Sequence, residues 1–117
     1  MTATDITIYH NPRCGKSRAA LALLEDRGIA PNVVEYLKTP LDAPTLSALV
    51  KQLGIRAEQL IRKGEDVFKD HYAGKSLTEQ QWIQAMVDHP ILMERPLIVR
   101  GARAVIGRPP EKALELL

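Results

Sequence analysis

The chain has 117 residues and a mass of 13.0 kDa, enough for one domain that buries about two-thirds of the surface its unfolded form would expose. Hydrophobic residues at 45% and charged residues at 26% exclude a disordered chain. Sixteen Lys+Arg against fourteen Asp+Glu leave a net charge of +2, without the basic excess of a general nucleic-acid or membrane-surface binder; the single cysteine, Cys14, excludes an internal disulfide and a cysteine-rich zinc site.

The first ten residues, Met1 to His10, lack the basic start and apolar stretch of a secretory signal, and a lone thiol suits a reducing compartment, so the cytoplasm is the expected location. Residues 5–9 alternate around Ile6 and Ile8 and stop at the polar break His10, Asn11, Pro12, which predicts a short strand and a loop. From Gly15 to Arg27 the chain is rich in Ala and Leu, with Gly28 where a helix C′ residue belongs. Its apolar run Ala19 to Leu24 is far below the ~20 residues that span a bilayer. Val33 to Tyr36 is β-branched and aromatic, hence a second strand. Strand, helix, strand forms a right-handed βαβ unit with parallel strands.

The middle of the chain reads as helical. Asp42 is a candidate N-cap, Pro44 falls in the first turn, Leu46, Leu49, Val50 and Leu53 recur at helical spacing, and Gly54 stops the helix. Thr78 to Gln81 fits a capping box, Leu77 can staple onto Trp82, and Ile83, Met86 and Val87 continue the apolar stripe until Pro90. Leu97 to Val99 and Ala104 to Ile106 form a hairpin turning at Gly101, and Pro109-Pro110 opens a short last helix. No internal repeat or low-complexity tract is present. The order predicts an α/β fold with a mixed sheet of about four strands, a single domain over 1–117, and helices inserted over approximately 41–93.

Chemistry concentrates between His10 and Arg18. Cys14 falls where a strand hands over to a helix N-terminus, whose free N–H groups and dipole favour an anion, whether a bound oxyanion or the thiolate itself. Arg13, Lys16 and Arg18 crowd the same segment without an acidic residue. Lowering a thiol pKa from ~8.5 to ~6.5 raises the thiolate fraction at neutral pH from about 3% to about 76%, and requires roughly 2.7 kcal/mol. A helix terminus supplies ~0.3–1 kcal/mol and at most ~2, so cations or hydrogen bonds must add the rest. The competing reading is a buried cysteine acting as a small hydrophobe, against which the polar flanks Arg13, Gly15 and Lys16 count. Lys16 and Arg18 taken singly read as solvated helix residues, and His10 divides between orienting the thiolate and capping the strand end.

Nearby motifs fail on specific residues. A phosphate-binding G-x-x-x-x-G-K-[ST] loop ending at Ser17 would need glycine where His10 stands. A cysteine phosphatase loop would need arginine where Ala20 stands, and Ser17 occupies the second position of a Cys-x-x-Cys pair. His10, His71 and His89 show no metal-ligand spacing, so no metal is expected.

The segment from Ile6 to Arg18 resembles the active-site loop of glutaredoxin-coupled arsenate reductases, the ArsC family. The likeness continues in Leu60 to Lys63, His89 to Pro96 and Ile106 to Pro109. It runs in order along essentially the whole chain and is nearest the short subgroup, without the C-terminal extension of longer members. The resemblance implies a thioredoxin-like fold with a helical insertion. It implies that Cys14 is the nucleophile, that Arg62, Arg95 and Arg108 hold the oxyanion, and that His10, with Asn11, Ser17 and Arg18, supports the thiolate. It also makes Pro96 the candidate for a cis-proline corner, which an X-Pro bond permits. Guanidinium forks suit a tetrahedral dianion.

The function expected from this resemblance is arsenate reduction: Cys14 attacks arsenate, glutathione attacks the adduct, and glutaredoxin resolves the mixed disulfide as arsenite leaves. The expected protein is a monomer with no bound cofactor, glutathione as co-substrate reductant, and no nucleic-acid or membrane partner. Two alternatives remain open. One is an Spx-like regulator binding RNA polymerase, whose usual Cys-x-x-Cys switch Ser17 removes. The other is a thiol reductase of the same fold acting on another substrate.

Overall fold

A computed structural model describes residues 5–117. They form two compact units, one from the described residues up to Thr39 with Arg95–Leu117, the other Pro40–Glu94.

The first unit holds a four-stranded sheet of β1 (Ile6–His10), β2 (Asn32–Glu35), β3 (Leu97–Arg100) and β4 (Arg103–Ile106), with α1 (Gly15–Asp26) between β1 and β2. Strand order is β2-β1-β3-β4. β1 and β2 are parallel, as the βαβ reading predicts, and the other two pairings are antiparallel. Alternation in β1 turns Ile6, Ile8 and His10 inward. Ile6 and Ile8 pack with Ala20 and Leu24 of α1, Ile98 of β3, and Ala113 and Leu116. The last two lie on a 3₁₀ segment, Pro110–Leu116, in place of a regular α-helix. Arg100 and Arg103 donate to the Leu116 and Glu115 carbonyls at 2.9 and 2.8 Å, holding that segment to the hairpin.

α1 ends in a Schellman arrangement. Gly28 adopts φ 76°, its N–H donates to Glu25 O, and Ile29 N–H reaches Leu24 O. β2 begins one residue earlier than the sequence suggests and ends at Glu35, while Tyr36 is 1% exposed beyond it. The hairpin turns through Gly101, at φ 59°. Gly107 has a different task. A Cβ there would lie 2.7 Å from Pro96 Cγ and 2.9 Å from Ile98 Cδ1, and its N–H donates to Pro96 O at 2.8 Å. Only a residue without a side chain fits this approach.

The second unit contains α2 (Ala43–Leu53), α3 (Asp66–His71) and α4 (Glu79–Asp88), with 3₁₀ turns at Ala57–Leu60 and Pro90–Leu92. Asp42 Oδ1 caps α2 by accepting Thr45 N–H at 2.9 Å, and Gly54 closes it at φ 70°. Thr78 and Gln81 form the reciprocal capping box of α4. Its buried face presents Trp82, Ile83, Ala85 and Met86, with the Trp82 ring stacked on Phe68 at 6.1 Å. Leu60 and Leu92 carbonyls accept the Glu94 and Arg62 N–H groups at 2.8 and 2.7 Å, joining the two 3₁₀ turns.

Candidate active site

The site is built on the loop from β1 to α1. Cys14 is the N-cap of α1, with extended φ −94° and ψ 122°, so its side chain sits at the open N–H groups of the first helical turn. The loop is held from within. Asn11 O accepts Cys14 N–H at 3.0 Å, Asn11 Oδ1 accepts Arg13 N–H at 3.0 Å, and Arg18 Nη1 donates to Pro12 O at 2.9 Å. Arg18, read as thiolate support, thus braces the loop backbone.

Ser17 joins this loop to the strand. Its hydroxyl is fully buried, accepts the Asn11 N–H at 3.1 Å and lies 2.6 Å from His10 Nδ1. His10, 5% exposed, therefore meets Ser17 at the helix rather than the thiol. Burial lowers the imidazole pKa, Glu35 partly opposes this, and Arg18 adds to it. The neutral ring is favoured beside the serine.

Burial pushes the Cys14 thiol up, but the N–H of Ser17, the Arg95 guanidinium and the N–H of Lys16 together outweigh it and hold the pKa below the ordinary thiol value. Lys16 acts through its backbone, a role its charged side chain did not suggest. Arg95 Nε and Nη1 are buried without a hydrogen-bond partner, a costly state for a cation in the absence of an anion. Arg108 Nε donates to Arg95 O at 2.8 Å while its Nη2 lies 4.0 Å from Cys14 Sγ. Both arginines precede cis prolines, Pro96 and Pro109; only the first was expected from sequence. Gly107 sits between these pairs and holds the Pro96 corner.

The structure brings Cys14, His10, Asn11, Ser17, Arg18, Arg95, Arg108 and Pro96 into one unit. Arg62 belongs to the other, where its guanidinium lies 3.4 Å from Glu65 and 3.8 Å from Glu94. Those two carboxylates were not singled out from sequence, although the i,i+3 spacing of Arg62 and Glu65 is a readable pairing signal. Glu35, Leu37 and Lys38 were also missed. They come beside the active loop because the parallel register sets Glu35 opposite His10. His71 and His89, outside the site, stack on each other at 5.7 Å.

Comparison with known proteins identifies the family. Residues 9–116 match the model of the ArsC family. The chain is 54% identical over 115 residues to the uncharacterized protein YfgD of Escherichia coli K12, covering 97% of both. It is 44% identical over 109 residues to an arsenate reductase of Neisseria meningitidis, covering 92% of this chain and 93% of that protein. The solved structure of an arsenate reductase from Vibrio cholerae superposes with a TM-score of 0.93 at 44% identity, covering 100% of this chain and 98% of the other. The fold is thioredoxin-like, with its sheet and active loop in one unit and the helical segment in the other.

Proposed function

The chain belongs to the ArsC family, and from that premise we propose that it is an arsenate reductase in which the Cys14 thiolate is the nucleophile. The observation that carries this is the thiol held at a helix entrance beside two guanidinium groups, one with buried unpartnered donors. Arg95 and Arg108 bind the arsenate oxygens and neutralise charge as the thiolate approaches. Arg62 is the third oxyanion group on the strength of the family resemblance. The thiolate forms a bond to arsenic(V) and hydroxide leaves, taking a proton to depart as water. His10 and Ser17 position the loop and helix end that present the sulfur.

The chain has one cysteine, so a second thiol comes from outside. That thiolate attacks Cys14 Sγ. A disulfide forms, the S–As bond breaks, and its electron pair stays on arsenic, which leaves as arsenite(III). A further thiol, on glutaredoxin, cleaves the mixed disulfide and restores Cys14. Glutathione is the co-substrate, the protein itself carries no cofactor in this scheme and works as a monomer, and a reducing cytoplasm is the compartment that sustains it. The described residues contain no helix long and apolar enough to cross a membrane.

The test is arsenite formation by the purified protein with arsenate, glutathione and glutaredoxin. Turnover that disappears in Cys14→Ser is expected. Wild-type protein that consumes no thiol in response to arsenate, and whose Cys14 arsenate does not protect from alkylation, overturns the reading. Turnover of other mixed disulfides without an arsenate response favours the thiol-reductase alternative.

A further inference from the structure

We propose that Glu35 is a positioning residue for the thiol chemistry: it acts on His10 across the paired strands, and through the Ser17 hydroxyl it governs the brace that holds the loop under Cys14. The inference rests on the arsenate-reductase reading only for the use made of that loop. Topology sets the pair together. β1 and β2 run in parallel with Glu35 as the register partner of His10, and side chains at paired positions leave a sheet on the same face. Both residues line one cleft at the ends of their strands. The Glu35 side chain is 38% exposed and His10 is buried, so a half-solvated carboxylate sets its field on a ring shielded from water.

The hydrogen bonds assign the ring's proton. Among the described residues the Ser17 oxygen has two partners, the Asn11 N–H at 3.1 Å and His10 Nδ1 at 2.6 Å. The first is a donor, so the serine's own hydrogen needs an acceptor, and at this fully buried site the acceptor is Nδ1. The neutral imidazole therefore carries its hydrogen on Nε2. A second proton has only Nδ1 to go to. Ser17 would then accept from the ring, and its own hydrogen would be orphaned away from water, which costs more than the new bond returns. Protonation of His10 thus breaks the contact that ties the first turn of α1 to the end of β1.

The brace reaches the nucleophile in two bonds. Ser17 Oγ accepts the Asn11 N–H, and Asn11 O accepts the Cys14 N–H at 3.0 Å. Burial resists protonation of the ring most strongly; of the charged groups, Glu35 on β2 favours it most, Arg18 on α1 opposes it, and Glu25 on α1 favours it. Arg13 and Lys38 also line the cleft. Lys38 Nζ lies 3.4 Å from Glu35 but its side chain is 79% exposed, so water screens the pair and leaves the carboxylate's field on the ring largely intact. β3 sets apolar Leu97 against Tyr9, the residue before His10. Glu35 thereby brings release of the brace to a higher pH than burial and Arg18 alone would set.

Two variants must act in opposite directions. In nitrogen NMR spectra of the neutral His10 ring, Nδ1 should resonate as an unprotonated acceptor and Nε2 as an N–H. On acidification the ring and the Asn11 and Cys14 amides should titrate with one midpoint. Glu35→Gln should move that midpoint to lower pH. Ser17→Ala should move the ring's midpoint to higher pH, because no buried hydroxyl is then orphaned. In turnover, the acid-side loss of arsenate kcat/KM should move to lower pH in Glu35→Gln; a carboxylate that only supported the fold would lower turnover alike at every pH. A neutral ring with its hydrogen on Nδ1, an unmoved midpoint or acid limb in Glu35→Gln, or amides that do not follow the ring overturns the proposal. So does a ring that stays neutral wherever wild type and Ser17→Ala are folded. The expected NMR responses in a protein that reduces no arsenate leave the brace standing and overturn the arsenate reading instead.

Discussion

Cys14 is neither fully buried nor freely solvated, and its acidity comes from a contest between these two conditions. Burial raises its pKa, while two backbone N–H groups and Arg95 lower it further than burial raises it. A helix terminus contributes at most ~2 kcal/mol, so the guanidinium matters. The rate of Cys14 alkylation against pH should have its midpoint below that of a free thiol, and Arg95→Gln should move that midpoint up. An unshifted midpoint in the variant would remove Arg95 from this role. Stability carries the same sign. A thiol with a lowered folded-state pKa adds stability that is lost as pH falls through that value and is complete above the unfolded value. Wild type should therefore gain stability over Cys14→Ser as pH rises across that window, measured by urea unfolding at several pH values. The N–H contribution was readable in the sequence, because Lys16 and Ser17 lie within one helical turn of Cys14. The partner of His10 was not. Four positions separate it from the thiol in sequence, but a strand and a turn direct its ring to Ser17.

At the scale of elements, what was legible is what closes locally. Asp42, Gly54, Thr78, Gln81 and Gly28 each satisfy backbone groups a few residues away, and each serves as its residue type suggests. The strand order, the short α3 and the 3₁₀ geometry of Pro110–Leu116 depend on packing between distant segments, so local pattern could not specify them. Gly107 shows the difference. Its φ is ordinary, and nothing beside it in sequence demands glycine; the demand comes from Pro96 and Ile98 across the fold. Gly107→Ala should force those side chains apart and destabilise the protein by about 1–3 kcal/mol, read as a lower urea midpoint. It should also slow arsenate turnover, since Arg95 and Arg108 flank the disturbed corner. A variant as stable as wild type would show that the corner can yield.

For the whole molecule, the telling fact is that one unit is assembled from both ends of the described chain. Ile6 and Ile8 meet Ala113 and Leu116 in a single core, while the helical unit folds its own segments between Pro40 and Glu94. The interruption of the sheet by a helical segment was legible from the change of hydrophobic period. The closing of the core by the last 3₁₀ segment was not, since Ala113 and Leu116 alone carry no strong pattern. Leu116 is 1% exposed, and Leu116→Ala should cost about 2–5 kcal/mol, measured by denaturant unfolding. A loss under half a kilocalorie, the scale of a surface change, would mean that this segment only covers the core.

The Arg108 guanidinium makes two contacts of different kinds. One nitrogen is tied to the Arg95 carbonyl and another faces the sulfur, so the same rigid plane is both a strut of the framework and a charge in the site. Because the plane cannot pivot toward a ligand without releasing the carbonyl, the reach of its charge is set by the backbone at the Pro96 corner. The spacing between that charge and the Cys14 sulfur is thereby a property of the framework, fixed when the chain folds, and not of a freely turning side chain.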